Sequence, residues 1–124
     1  MNTPINTLKD RAIHFLKLAS AGDVREAYER YVSEDFIHHN PYFKGDRHSL
    51  LVAMEESAKQ NPNKAFEVQR AFQEGDMVAV HSRVVQNSEI AVVHIFRFQD
   101  ELIEELWDIG MVVPKEKINE NGAF

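Results

Sequence analysis

The second half of the chain holds three runs rich in β-branched and aromatic residues, 77–86, 90–98 and 102–113. Only short polar breaks, Asn87-Ser88 and Gln99-Asp100-Glu101, separate them. Breaks of that length suit hairpins, whereas parallel strands need a crossover of about a dozen residues or more. The chain from Met77 onward is therefore expected to form an antiparallel meander. A fourth, moderately alternating run at 65–74 joins it through the turn signal Gly75-Asp76. Strand preference is strongest along Ile90-Ala91-Val92-Val93-His94-Ile95-Phe96-Arg97-Phe98.

The first half has a different period. Ile5, Leu8, Ala12, Phe15, Leu16 and Ala19 recur at spacings of three and four, which makes one apolar stripe on a helix ending at Gly22. Asp23, with Glu26 three residues on, reads as a capping box that opens a second helix striped by Val24, Ala27, Tyr28, Tyr31 and Val32. The segment Asp35–Asp46 fits neither period. Pro41 disfavours the helical region at Asn40, so the chain should be extended or turning there. Asp46 can cap a third helix reaching about Gln60, with Leu50, Leu51, Met54 and Ala58 on its buried side, and Asn61-Pro62-Asn63 stops it.

Helices first and strands afterwards imply an α+β fold, and 124 residues suffice for a single domain spanning 1–124. Three helices cannot cover both faces of a four-stranded sheet. The expected solution is a strongly curved, antiparallel-rich sheet wrapped around the helices. Apolar residues such as Val93, Ile95 and Trp107 then remain on the convex side, and a face of that kind predicts a homodimer.

Composition removes several functional classes. The net charge is −6 and no basic block exists, so neither nucleic acid nor an anionic membrane is an expected partner. With no cysteine there is no thiolate nucleophile and no Cys-ligated metal, a usage that suits the cytoplasm. No metal-ligand spacing such as H-E-x-x-H, no Gly-rich phosphate loop and no G-x-S-x-G elbow is found. The N-terminus lacks the basic and apolar regions of a signal peptide.

A sheet curled around helices leaves a cavity, and the function turns on which ionisable groups face it. On strand 90–98, His94 shares a face with Val92, Phe96 and Phe98. A two-residue turn at Asn87-Ser88 sets His81 opposite His94 on that face. The last hairpin stays open: a two-residue loop pairs His94 with Trp107, whereas a three-residue loop puts Asp108 on the face of His94. In the second case the cavity holds His81, His94 and Asp108 among apolar side chains, where burial should raise a carboxyl pKa toward the range useful for general acid–base work. Against this, strand histidines more often pack than catalyse, and an Asp near a strand end is commonly a surface residue.

Several motifs occur in one order: His39-Asn40-Pro41, Gly45, Val80-His81, His94-Ile95-Phe96-Arg97-Phe98, Ile103-x-Glu105-x-Trp107-Asp108, Pro114 and Asn121-Gly122-Ala123-Phe124. Together they resemble the SnoaL-like polyketide cyclase family of the nuclear transport factor 2-like superfamily. The resemblance implies a cone-shaped α+β barrel of the cystatin-like type, with a deep apolar pocket and dimerisation through the sheet. It also implies ring closure by aldol condensation without metal or organic cofactor. By the resemblance Asp108 is the acid/base, His94 a pocket histidine and Asn40 a pocket-lining residue, which favours the register that joins His94 and Asp108. This chain has His94 and Leu106 where many members carry Asp and His, and Gly110 where Gln is common.

The expectation is thus a cofactor-independent enzyme in which Asp108 and His94 are catalytic. His81, Asn40, His39, Phe96 and Met54 contact a small apolar carbonyl compound, and the reaction is aldol-type cyclisation or isomerisation. The alternative is a non-catalytic protein that binds a small apolar ligand in the same pocket.

Overall fold

The spacing of apolar residues is realised directly in the helices. The computed structural model describes residues 7–62 and 64–124. Ile5, the N-terminal stretch read for a signal peptide, and Asn63 lie outside the described residues. Helix α1 (Leu8–Ser20) buries Ala12, Phe15, Leu16 and Ala19, and the Thr7 hydroxyl caps it by accepting from the Asp10 N–H. Helix α2 (Val24–Tyr31) buries Val24, Ala27, Tyr28 and Tyr31. Asp23 precedes α2 as expected, but its side chain makes no capping hydrogen bond, so the predicted capping box does not form. Asp46 does cap helix α3 (Arg47–Gln60), accepting from the Ser49 N–H at 3.0 Å.

Five strands follow the order β1-β5-β4-β3-β2 in one sheet. They are β1 (Val32–His39), β2 (Ala65–Glu74), β3 (Met77–Val85), β4 (Glu89–Gln99) and β5 (Leu102–Val112). The meander from β2 to β5 is antiparallel. The expected four-stranded sheet gains a fifth strand, because part of the segment that fitted neither period is β1. It runs parallel to β5 and pairs His38 with Leu106 and His39 with Trp107. Parallel pairing is possible because the rest of the chain, helix included, supplies the crossover from β1 to β5.

The core lies between the helices and the concave face of the sheet. Strict alternation places Val78, Val80 and Ser82 of β3 and Val92, Phe96 and Phe98 of β4 on that face. Phe15 is the hub where helix meets sheet. Its ring centroid is 5.6 Å from Tyr28 and 6.0 Å from Phe96. Pairs of that geometry contribute roughly 0.5–1.5 kcal/mol beyond burial itself.

Two registers decide where the chemistry sits. The β3–β4 connection uses three residues, Gln86–Ser88, because Val85 pairs with Glu89. The pairing is therefore one residue away from the expected one: Val80 faces His94, and His81 faces Val93. The β4–β5 turn is the two-residue one, with Gln99 paired to Leu102 and with Asp100 and Glu101 at φ of 51° and 66°. Both central residues in the left-handed region mark the turn type that matches sheet twist. A bulge then intervenes before Arg97 pairs with Glu105, and from there His94 pairs with Asp108. The extra residue restores to one face what the two-residue turn alone would have split.

After β5 the chain crosses the convex face. The Val113 N–H donates to the Glu89 carbonyl, and the Phe124 ring stacks on His81 at 5.6 Å. Ile109 and Met111 stay exposed on that face.

Candidate functional site

The pairing of β4 with β5 and the end of β1 bring three polar side chains together at a cavity on the concave side. The cavity measures about 220 Å³. Leu16 and Ala19 of α1, Met54 of α3, Phe66, Val84, Ile90 and Val92 supply apolar walls, and Lys64, His94 and Asp108 supply the ionisable ones. The Asp108 carboxylate is held from the residue that follows β1: Asn40 Nδ2 donates to its Oδ2 at 3.0 Å. The other end of the same amide is also engaged, since Asn40 Oδ1 accepts from the Tyr42 N–H at 3.0 Å. With the oxygen taken by the turn before α3, the amide nitrogen is left to face Asp108. The extended-to-turn geometry enforced by Pro41 thus has a chemical consequence.

Asp108 Oδ1 lies 3.7 Å from His94 Nε2. This is beyond hydrogen-bond range, so the two groups face each other without direct proton sharing. The His94 side chain is 14% exposed and that of Asp108 32%. The carboxylate is reachable from the cavity, while the imidazole is mostly enclosed. Burial holds the His94 pKa below its ordinary value. The Asp108 charge opposes that shift and the nearby Lys64 charge adds to it. His94 is accordingly a neutral imidazole at neutral pH, with one nitrogen donating and the other accepting. Its Nδ1 is buried without a hydrogen-bond partner among the described residues.

The expected site residues divide between the two faces. His94, Asp108 and Met54 line the cavity, with Met54 Sδ accepting from the Tyr28 hydroxyl at 3.3 Å. Asn40 acts on Asp108. Phe96 is wholly buried beneath, its ring centroid 6.2 Å from that of His94, so it supports the imidazole from the core. His81 and His39 do not reach the cavity. The one-residue register difference turns His81 to the convex face, where it contacts Arg70 and Phe124. His39 sits on that face as well, stacked on Trp107 at 4.9 Å and paired with Glu105 at 2.6 Å. Glu105 also accepts from Arg97 at 3.0 Å, and its pKa is lowered, first by the hydrogen bond from His39.

An ionisable lining residue escaped the sequence reading. Lys64 enters the cavity just before β2, on the same side as Phe66. The signal was present, because two-residue alternation from Phe66 assigns Lys64 to the concave face. Its place beside the Asn61-Pro62-Asn63 turn concealed it.

Among the described residues no three His, Asp or Glu side chains converge as a metal site would require. A larger apolar groove of about 530 Å³ lies on the convex face under the C-terminal segment, but among the described residues no carboxylate side chain lines it.

Residues 12–106 match the SnoaL-like domain family. The chain belongs to that family. Solved structures place the SnoaL-like fold in wider company. IdmH from Streptomyces antibioticus, a proposed polyketide cyclase, superposes with a TM-score of 0.73 at 19% identity, over 85% of this chain and 92% of its own. AclR from Streptomyces galilaeus, a proposed hydroxylase, gives 0.74 at 20% identity, over 87% and 91%. An NTF2-like protein of unknown function from Cytophaga hutchinsonii gives 0.69 at 20% identity, over 90% and 95%. At such identities the likeness concerns the fold alone. No curated protein matches this SnoaL-like chain closely enough to count as a relative. No helix among the described residues is long and apolar enough to cross a membrane.

Proposed function

We propose that this SnoaL-like protein is a cofactor-independent enzyme that moves a proton α to a carbonyl group. Asp108 accepts the α-proton through Oδ1, the oxygen left available while Asn40 holds Oδ2. A neutral His94 donates an N–H to the carbonyl oxygen as negative charge develops there, in the way preorganised donors stabilise an enolate. A neutral donor is preferable to a cation here, because an imidazolium facing Asp108 would pair with the base or give it a proton. The enolate then either attacks a second carbonyl of the same molecule, closing a ring, or is reprotonated elsewhere, giving an isomer. In both cases Asp108 returns the proton, so the cycle balances.

The observation that carries the proposal is the pairing of His94 with Asp108 across β4 and β5, 3.7 Å apart at an apolar cavity. Membership of a family that resembles polyketide cyclases is consistent with it. The test is deuterium exchange at the α-carbon of small diketones in D2O, followed by proton NMR. Asp108→Asn should slow protein-catalysed exchange by about 10²–10⁴-fold, the usual contribution of a positioned acid–base group. Exchange unaffected by Asp108→Asn defeats the proposal. Tight binding of such compounds by the wild type with no exchange selects the non-catalytic binding role instead.

The apolar convex surface, with Ile109 and Met111 more than half exposed, is proposed to dock a second copy. Light scattering should report a dimer, and Met111→Lys should give a monomer.

A further inference from the structure

Among the described residues Lys64 is the only Lys or Arg lining the concave cavity, and the acid–base role proposed for Asp108 makes no use of it. It lines the same cavity as His94, and its charge opposes protonation of the imidazole. No carboxylate among the described residues lies within ion-pair distance of it. A cation taken partly out of water without a counter-ion is costly, and proteins tolerate that cost where an anion arrives later.

The size of the cavity narrows the class of that anion. At about 220 Å³ the space falls below the roughly 300–1,000 Å³ of pockets that hold drug-sized ligands. Its walls are mainly aliphatic, so a heavily hydroxylated or polyphosphorylated molecule would lose more solvation than one ammonium can replace. A single carboxylate on a short carbon skeleton fits both limits.

We propose that Lys64 is a specificity-determining residue that binds the carboxylate of a small oxo acid and so presents its carbonyl to His94 and Asp108. The inference rests on the acid–base reading above for what happens to the carbonyl, but the binding claim stands apart from turnover. Without Lys64 the substrate carboxylate would meet only the Asp108 carboxylate, which repels it. With Lys64 present the substrate charge is neutralised before the enolate forms. Burial alone lowers the Lys64 pKa. The side chain is only part-buried, which suits a role as anion partner and not as a desolvated amine nucleophile.

Calorimetric titration with 4-oxopentanoate and with its methyl ester separates these roles. Wild type should bind the acid at least about tenfold more tightly than the ester, as a charge-assisted pair would give. The preference should weaken with added salt. Lys64→Met and Lys64→Gln should each abolish the preference, and Lys64→Arg should keep most of it. Asp108→Asn should retain or increase the preference while losing α-proton exchange, which tells failure of the acid–base reading from failure of this one. Binding of neither compound by wild type, equal binding of both, or a preference that survives Lys64→Met overturns the proposal. So does a mass increase at Lys64 after borohydride treatment with the oxo acid, because it would reveal an imine.

Discussion

The contact that should repay measurement first is that of Asn40 with Asp108. Asn40→Ala removes two hydrogen bonds, one from Nδ2 to Asp108 Oδ2 at 3.0 Å and one from the Tyr42 N–H to Oδ1, also at 3.0 Å. A bond to a charged group contributes about 1.5–3 kcal/mol, and the partial exposure of Asp108 argues for the lower end. The local turn bond adds about 0.5–1 kcal/mol on the scale of an ordinary hydrogen bond. The expected destabilisation is therefore about 2 kcal/mol. With about 2.1 cal/mol/K of unfolding entropy per residue, that corresponds to a fall in Tm of roughly 8 °C for a chain of this length. Only the Asp108 part should couple. In a double-mutant cycle by urea unfolding, Asn40→Ala with Asp108→Ala should show an interaction energy of about 1–1.5 kcal/mol, whereas independent sites add to within about 0.5 kcal/mol. Additivity would mean that Asn40 does not hold the carboxylate in solution, and the account of how Oδ1 is left for chemistry would fail with it.

Three other outcomes follow from the same geometry. His94 has a pKa lowered by burial, so between its folded value and about 6.5 the unfolded chain binds the extra proton. Stability should then be complete above about pH 6.5 and decline as pH falls, by at most about 1.4 kcal/mol per pH unit from this residue. His94→Asn should flatten that slope in urea titrations at several pH values, leaving the contribution of His14, whose pKa is also lowered; equal slopes would contradict the burial argument. Phe15→Ala should cost about 3–5 kcal/mol in urea unfolding, since it empties the space between Tyr28 and Phe96, and a loss under about 1 kcal/mol would show that the hub is not packed as described. His39→Ala should shift the emission of Trp107, the only tryptophan, to the red by uncovering its ring, yet leave ligand binding in the concave cavity unchanged because it acts on the opposite face.

The helices were readable because each buries residues spaced by three and four, and no distant contact is needed to see that. Inward faces of single strands were readable for the same reason, which is why Phe96 of β4 falls where the pattern puts it, as Met54 does on α3. Strand β1 was not, since its apolar residues are interrupted by Glu34, Asp35 and two histidines, and its pairing partner lies some seventy positions away. What one strand's inward face shares with its neighbour's depends on how many residues the connection contains. That number is fixed by turn conformation and not by hydrophobic period. Asp100 and Glu101 adopt left-handed angles without a glycine to announce them.

The site reduces to parity. Where two paired positions sum to an even number, residues of like parity share a face. The three-residue loop Gln86–Ser88 makes the β3–β4 pairing even, so odd-numbered His81 and even-numbered His94 are forced apart. The two-residue turn makes the start of the β4–β5 pairing odd, and the single residue gained at the bulge makes it even again, so His94 and Asp108 meet. The bulge did leave a trace in the sequence. The buried residues Ile103 and Leu106 are three apart, where an unbroken strand would space them by two. A period that changes by one within a strand is therefore worth as much to a functional reading as a motif. In this chain it decides whether the carboxylate beside Trp107 works in the cavity or lies outside it.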